Sequence, residues 1–394
     1  MKILFFLFAL TFLISLKSVA SEALPGFEVV PEKYKNIMDS IVVPDMPPVR
    51  TQGGLPICYA VAASTIIEQR TCVKDKLDCQ NLPDSKRPSI LGLAKFSIAT
   101  DLKKNPTKSD RPMRYDDGDA YPRKIYGDDA GQAAEIVINA SQANDVASES
   151  CAPYSGFIIK GADGRESTHQ EVEAWNDLRR AYNIYRKDVK TCRKCAEDAA
   201  RVAILKTRDR FSLQTDVDQE LSAFSLDSYE LFLSKFLIPD KCNEYGDDTY
   251  KFIWMHSKVG YFPDNYKRPS YTETINMVIK VLKQGDPILA SICSMNSPTR
   301  KCVDNGESRR HALVISGFRK MCDDTNCIDV IHVQNTWGSD WQVEYADGWI
   351  DAKALLSRLA IQRGALFWIE DWTPEDLKKE EDEMVKKIQR SRAE

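Results

Sequence analysis

The sequence predicts an α+β protein, and three observations carry that expectation. The chain has 394 residues, 43% apolar and 28% charged, which is ordinary globular composition with length for two or three buried cores. Residues 156–270 read as helical, because Val172, Trp175, Leu178, Tyr182, Tyr185 and Val189 recur at steps of three and four. From residue 272 the texture changes. ILASICS, HALVISGF, IDVIHVQNTW and GALFWIE are β-rich runs separated by polar turns, as in an antiparallel sheet or barrel. The composition excludes collagen-like, coiled-coil and wholly disordered chains. A net charge of -4 with both signs mixed argues against a nucleic-acid partner.

The elements follow in order. Met1-Lys2 is a basic start, Ile3 to Leu16 an apolar run, and Ser18, Val19 and Ala20 are small residues suited to a signal peptidase. Residues 1–20 therefore read as a cleavable secretory signal, too short for a comfortable membrane span. The expectation is an exported protein, secreted or periplasmic, with no membrane partner once the signal is removed. Residues 21–45 are a short N-terminal extension. Turn formers fill Pro47 to Pro56, and the gapless apolar stretch CYAVAASTIIE (58–68) then reads as a buried helix. Residues 72–127 are polar and read as long loops, and Ala133 to Ala140 as a second apolar helix. In the helical stretch, Ser167 or Thr168 supplies an N-cap and Glu171 lies in the first turn. A short helix to Leu282 precedes the strands. Residues 371–394 read as a charged helix with Pro374 in its first turn, acidic at the start and basic at the end.

Three segments carry chemistry: Gln52-Gly-Gly-Leu-Pro-Ile-Cys58-Tyr59-Ala60, Arg310-His311-Ala312, and Gln334-Asn335-Thr336-Trp337-Gly338. Each has an ordinary reading, as half a disulfide, a strand-edge histidine, a turn residue and a core tryptophan. Physical chemistry favours another. A helix N-terminus favours a cysteine thiolate. A histidine partner lowers the thiol pKa further and supplies a general acid. An asparagine side chain can hold the useful imidazole tautomer. Gln52 can reach back across the turn so that its amide and the Cys58 backbone N–H form an oxyanion hole.

QGGLPICYA, then HA opening a β run, then QNTWGSDW, in that order, resembles the papain/cathepsin family of cysteine peptidases. A looser likeness covers YGDDAGQAAEIVINASQANDVASESCAPYSG (126–156). The resemblance implies a papain-like two-lobe fold, with a helical lobe over 46–155 and an antiparallel β-barrel-like lobe over 271–370. It implies Cys58 as nucleophile, His311 as base and then acid, Asn335 as orienter and Gln52 as oxyanion donor. Asp129, Ala130 and Gly131 fall where the family lays substrate backbone, and Trp337 would cover the His–Asn contact. The implied reaction is hydrolysis of protein or peptide substrates through a thioester, with no cofactor or metal, and a proteinaceous inhibitor is an expected partner. The alternative is a catalytically weak or inactive papain-like scaffold that acts as a binding protein. Acyl transfer to an amine would use the same residues.

The departures are informative. Leu55 and Asp128 stand where the family has a disulfide, Pro56 where it has a glycine, and Arg310 where Asp or Asn is common. His311 lies 253 residues after Cys58, against roughly 130–150 for the family. The excess matches 156–270, which reads as a large helical insertion. The stretch 72–127 contains no histidine, so endopeptidase is the expectation. Few residues separate the signal from Gln52, so latency is expected from the insertion, the tail or a separate inhibitor.

Eleven cysteines is an odd number, and the resemblance makes Cys58 the free one. Cys72/Cys79, Cys293/Cys302 and Cys322/Cys327 are plausible local bridges, which leaves Cys151, Cys192, Cys195 and Cys242 to pair among themselves in an order that spacing does not give. Cys192-Arg-Lys-Cys195 looks like a redox motif, but it sits in a helical run without a βαβ pattern. No His/Cys cluster has zinc spacing. His332 stands three residues before Asn335 on one strand, so the two should face opposite ways. His169 and His256 fall in the insertion. Asn139-Ala-Ser141 matches a glycosylation sequon, on a predicted helix.

Overall fold

The computed structural model describes residues 26–55, 57–96, 146–160, 168–243, 249–250, 257–265, 267–293, 310–360, 364–371, 373–376, 378–379, 382 and 386. Its elements are mixed helix and antiparallel sheet. The helices are α1 (Cys58–Asp75), α2 (Thr168–Asp188), α3 (Arg193–Arg210), α4 (Val217–Ala223), α5 (Tyr229–Leu237), α6 (Tyr271–Lys283), α7 (Gly338–Glu344) and α8 (Ala352–Leu356). The strands are β1 (Asn36–Val42), β2 (Val146–Ala147), β3 (Thr249–Tyr250), β4 (Ser257–Phe262), β5 (Ile288–Cys293), β6 (Arg310–Cys322), β7 (Cys327–Gln334), β8 (Trp349–Asp351) and β9 (Leu366–Asp371). A further helical stretch covers 90–96.

One seven-stranded sheet runs β4-β9-β5-β6-β7-β8, with β1 also on β6, and every pairing is antiparallel. The long β6 has β5 along residues 310–315 and β1 along 317–322 on one edge, while β7 runs down the other. Strand side chains alternate between faces, so the sheet divides two cores. Leu289, Ala312, Val314, Phe367 and Ile369 join the core around α1. Ile288, Ala290, Ile292, Leu313, Ile315, Leu366 and Trp368 join the core beneath α6 and α8. α6 opens with a reciprocal Ser270–Glu273 capping box, which satisfies two N–H groups at once.

α1 is buried along most of its length, from Cys58 to Cys72, as a continuous apolar stretch requires. It ends at Lys76 in the left-handed conformation, with φ 54°. α2 to α5 share its core. The stripe read from the sequence packs as expected: Trp175 stacks on Phe211 at 4.5 Å, and Tyr182 lies 4.8 Å from Phe232. Burying a ring of that size contributes about 2–3 kcal/mol.

Two expectations need correction. The stretch 156–270 is not helical throughout, because β3 pairs with β2 and β4 extends the sheet beside β9. SKVGYF is too short to show a helical period, and its Gly260 makes room for the Trp368 ring across the ladder. Residues 72–127 are not loop throughout, since α1 runs to Asp75 and 90–96 is helical. Within the N-terminal extension lies β1, whose mostly exposed side chains leave no alternating signal.

Cys72–Cys79 and Cys322–Cys327 are bridged as expected. Cys151 pairs with Cys242 and Cys192 with Cys195. Cys293 is also disulfide-bonded, and Cys302 lies outside the described residues. Ser167, Ala133–Ala140, Asn139–Ser141, Asp128 and Pro56 lie outside them as well. Asp371 ends β9, and at the start of the tail Asp376 N–H donates to Thr373 Oγ1 at 3.2 Å and Thr373 N–H to Asp376 Oδ2 at 2.8 Å. Among the described residues, no helix is long and apolar enough to cross a membrane.

Candidate active site

The sheet supplies one side of the site. His311 is the second residue of β6, and Asn335 follows the last residue of the neighbouring β7. Antiparallel pairing brings them together. His311 Nε2 and Asn335 Oδ1 lie 2.7 Å apart, with His311 7% and Asn335 1% exposed. Trp337 stacks on the imidazole at 4.5 Å between ring centres. The Asn335 backbone N–H donates to Gln342 Oε1 at 3.2 Å. His332 takes no part: its Nδ1 pairs with Ser316 Oγ at 2.7 Å and its ring packs on Trp349.

The turn before α1 supplies the other side. Cys58, the free cysteine among the described residues, is the first residue of α1. It shares a buried cluster with Ala312, the residue after His311, where α1 packs on β6. Gln52 is held at four points. Its N–H donates to Thr336 O at 2.7 Å, and its carbonyl accepts from the Tyr154 hydroxyl. Its Oε1 accepts from Thr336 Oγ1 at 2.8 Å, and its Nε2 donates to Leu55 O at 3.1 Å. An amide nitrogen has two hydrogens, so one remains to point at a ligand. Gly53 stands at φ 53°, and the Gly54 N–H donates to Glu171 Oε2.

Burial decides the electrostatics. Desolvation disfavours the charged form of either group. It pushes the Cys58 thiol up to about 11, against hydrogen bonds from the Ala312, Tyr59 and Cys58 backbone that favour the thiolate. It pulls His311 down to about 4, against the Asn335 hydrogen bond. The sequence pointed the other way for the thiol, to a pKa lowered by the helix N-terminus and the histidine. The desolvation of a nearly closed site opposes those effects and favours the neutral thiol and the neutral imidazole.

Of the residues singled out in the sequence, His311, Asn335 and Trp337 meet, Gln52 bonds Thr336 beside them, and Cys58 heads α1, which packs on β6. Asp129, Ala130 and Gly131 lie outside the described residues. Among the described residues no cluster of three His, Cys, Asp or Glu side chains could hold a metal ion. Cys192 and Cys195 form a closed bridge at the start of α3, where Cys192 Sγ accepts from the Cys195 N–H at 3.2 Å. Sequence reasoning missed Thr336, Tyr154, Gln342 and the structural role of Glu171. Thr336 lies inside a quoted motif. Tyr154 also lies in a quoted stretch, 126–156, but 102 residues from the carbonyl it bonds; Gln342 stands 7 residues and Glu171 117 residues from their partners.

No protein-family model matches the chain, and no curated protein sequence matches it. Among solved structures it is similar to xylellain, a cysteine protease from Xylella fastidiosa, at 13% identity and a TM-score of 0.41, covering 89% of this chain and 97% of that one. It is similar to procathepsin B S9 from Trypanosoma congolense at 10% identity and 0.36, covering 89% and 82%. PepW from Lactobacillus rhamnosis HN001 matches at 13% identity and 0.39, covering 87% and 84%.

Proposed function

We propose that the chain is an exported papain-like cysteine endopeptidase that hydrolyses peptide bonds in protein or peptide substrates. Its nucleophile is Cys58, its base and acid His311, its orienter Asn335 and its oxyanion donors the Gln52 side chain and the Cys58 backbone N–H. One observation carries the reading: the 2.7 Å His311–Asn335 pair stands at the end of β6, the strand on which α1 packs with the free cysteine at its head. In this reading 46–155 and 271–370 are the two lobes of a papain-like fold, 156–270 is an insertion, 21–45 an extension and 371–394 a charged helix. Asp129 to Gly131 and Trp337 flank the substrate, and a proteinaceous inhibitor supplies latency.

The chemistry follows from the bonds. Asn335 Oδ1 can only accept, so His311 Nε2 carries the hydrogen and Nδ1 is left as the base. Nδ1 takes the Cys58 proton as the sulfur attacks the scissile carbonyl carbon. The carbonyl oxygen gains negative charge and meets the free Gln52 amide hydrogen and the Cys58 N–H. His311 then protonates the leaving amine, which departs and leaves a thioester on Cys58. A water molecule, deprotonated by His311, attacks that thioester and releases the acid. The test is hydrolysis of casein or a peptide library by the wild type and by Cys58→Ala. Undiminished hydrolysis by the variant overturns the reading.

The neutral, buried thiol and imidazole favour a second reading, a papain-like scaffold that binds without turnover. A thiol-directed epoxide separates the two. A peptidase yields one adduct, on Cys58, at acid to neutral pH, and a binding scaffold yields none.

A further inference from the structure

Glu171 is a carboxylate with no exposed surface, carried in the first turn of α2. It faces the turn that leads into the candidate nucleophile. Its Oε2 accepts the Gly54 N–H and its Oε1 the Ile159 N–H, the latter at 2.7 Å. The fit between helix and turn is close. A Cβ on Gly53 would stand 2.5 Å from Glu171 Oε2, and one on Gly54 would stand 2.8 Å from Glu171 Cβ. Gly53 also holds φ 53°, which favours glycine. Both glycines are therefore needed where the helix approaches. No cysteine lies between Thr51 and Ile57, so no covalent bridge ties this turn down. A buried carboxylate accepting backbone N–H groups is a strong substitute, since charge-assisted bonds are roughly twice as strong as neutral ones.

We propose that Glu171 is a positioning residue for the oxyanion side of the site: from α2 it fixes the Gly53–Gly54 turn and so the direction of the Gln52 amide. The inference rests on the peptidase reading above. Thr336 and the Tyr154 hydroxyl hold Gln52, Thr51 Oγ1 accepts the Gly53 N–H, and the Glu171 carboxylate accepts the Gly54 N–H. Only Gly53 and its two peptide bonds join the Gln52 carbonyl to the Gly54 N–H, so movement at Gly54 passes directly to Gln52. In Glu171→Gln one oxygen becomes an NH₂, which cannot accept, and one of the two backbone donors loses its partner. Size and shape are kept.

The experiment compares wild type, Glu171→Gln, Gln52→Ala and the double variant on one peptide substrate, and follows Cys58 alkylation by iodoacetamide in each. Alkylation develops no oxyanion, so it reads the thiol alone. Glu171→Gln is expected to lower kcat about ten-fold or more with KM within about two-fold, and to leave alkylation within about two-fold. In the Gln52→Ala background the same substitution is expected to change kcat by less than about two-fold, because contacts acting through one group are not additive. An equal loss in both backgrounds, or a parallel loss of alkylation, overturns the proposal in favour of general support of the fold. If Glu171→Gln does not fold, Glu171→Asp, which keeps both acceptors on a shorter arm, is read in the same cycle. A wild type that hydrolyses nothing removes the peptidase reading and this inference together. A wild type that hydrolyses alongside an unchanged Glu171→Gln removes this inference alone.

Discussion

The two sides of the candidate site are built differently. On the sheet side, His311, Asn335, Trp337 and Gln342 lie within one stretch of chain, and the register of two adjacent strands brings them together. On the helix side, the turn from Gln52 to Cys58 takes its shape from Thr336, Tyr154 and Glu171, at sequence separations of 284, 102 and 117. Strand pairing gives the imidazole its place at little further cost in chain entropy. The cysteine turn is correct only once three remote segments have packed around it. Remote substitutions should therefore disturb the oxyanion side more readily than the base.

The predictions test that asymmetry. Cys58→Ala is expected to lower peptide hydrolysis by about 10⁴-fold or more, measured as initial rate at saturating substrate. One variant from each side comes next. Gln52→Ala should cost about 10²–10³ in kcat, the usual loss of one oxyanion donor. Asn335→Ala should cost about 10²-fold through a misplaced base. If Asn335→Ala proves harmless while Gln52→Ala does not, the strands alone orient the imidazole and the contrast sharpens.

The third prediction concerns pH. His311 binds its proton at 6.5 when unfolded and only near 4 when folded. Between those values the unfolded chain holds more protons, so stability falls as pH drops through that window. The loss amounts to about 3 kcal/mol in full by pH 4. From pH 7 to 4 the urea midpoint of wild type should fall relative to that of His311→Gln. Parallel curves would show that burial does not depress His311. The smallest effect is expected from Thr336→Val, which removes the hydroxyl on Gln52 Oε1. A lost hydrogen bond of about 1 kcal/mol translates to about five-fold in kcat.

Much of the candidate site was legible because its residues stand in dense local motifs. Gln52, Cys58, His311 and Asn335 each have a recognisable neighbourhood, and the strands of 288–293, 310–322, 327–334 and 366–371 announce themselves by β-branched runs. The α2 stripe was legible for the same reason, since Trp175 to Tyr185 keep one period over three turns. β1 and β4 were not legible. β1 is nearly all exposed and gains its strand state from the edge of β6 alone, and β4 is six residues with a glycine at its centre. Glu171 could be read only as a first-turn acid, since helix N-termini attract such residues for their own sake. The resting charges of Cys58 and His311 were also beyond the sequence. They depend on how completely the site is closed, a property of the assembled packing.

The Cys151–Cys242 bridge has a consequence for a chain that has been cut. It spans 91 residues and encloses α2 to α5 whole. Cys58 lies before that loop, and His311 and Asn335 lie after it. A proteolytic nick in the turn between α2 and α3, or anywhere else inside the loop, would give two polypeptides, one with the candidate nucleophile and the other with its base. The bridge would keep them one molecule: a single band on a non-reducing gel, two on a reducing one.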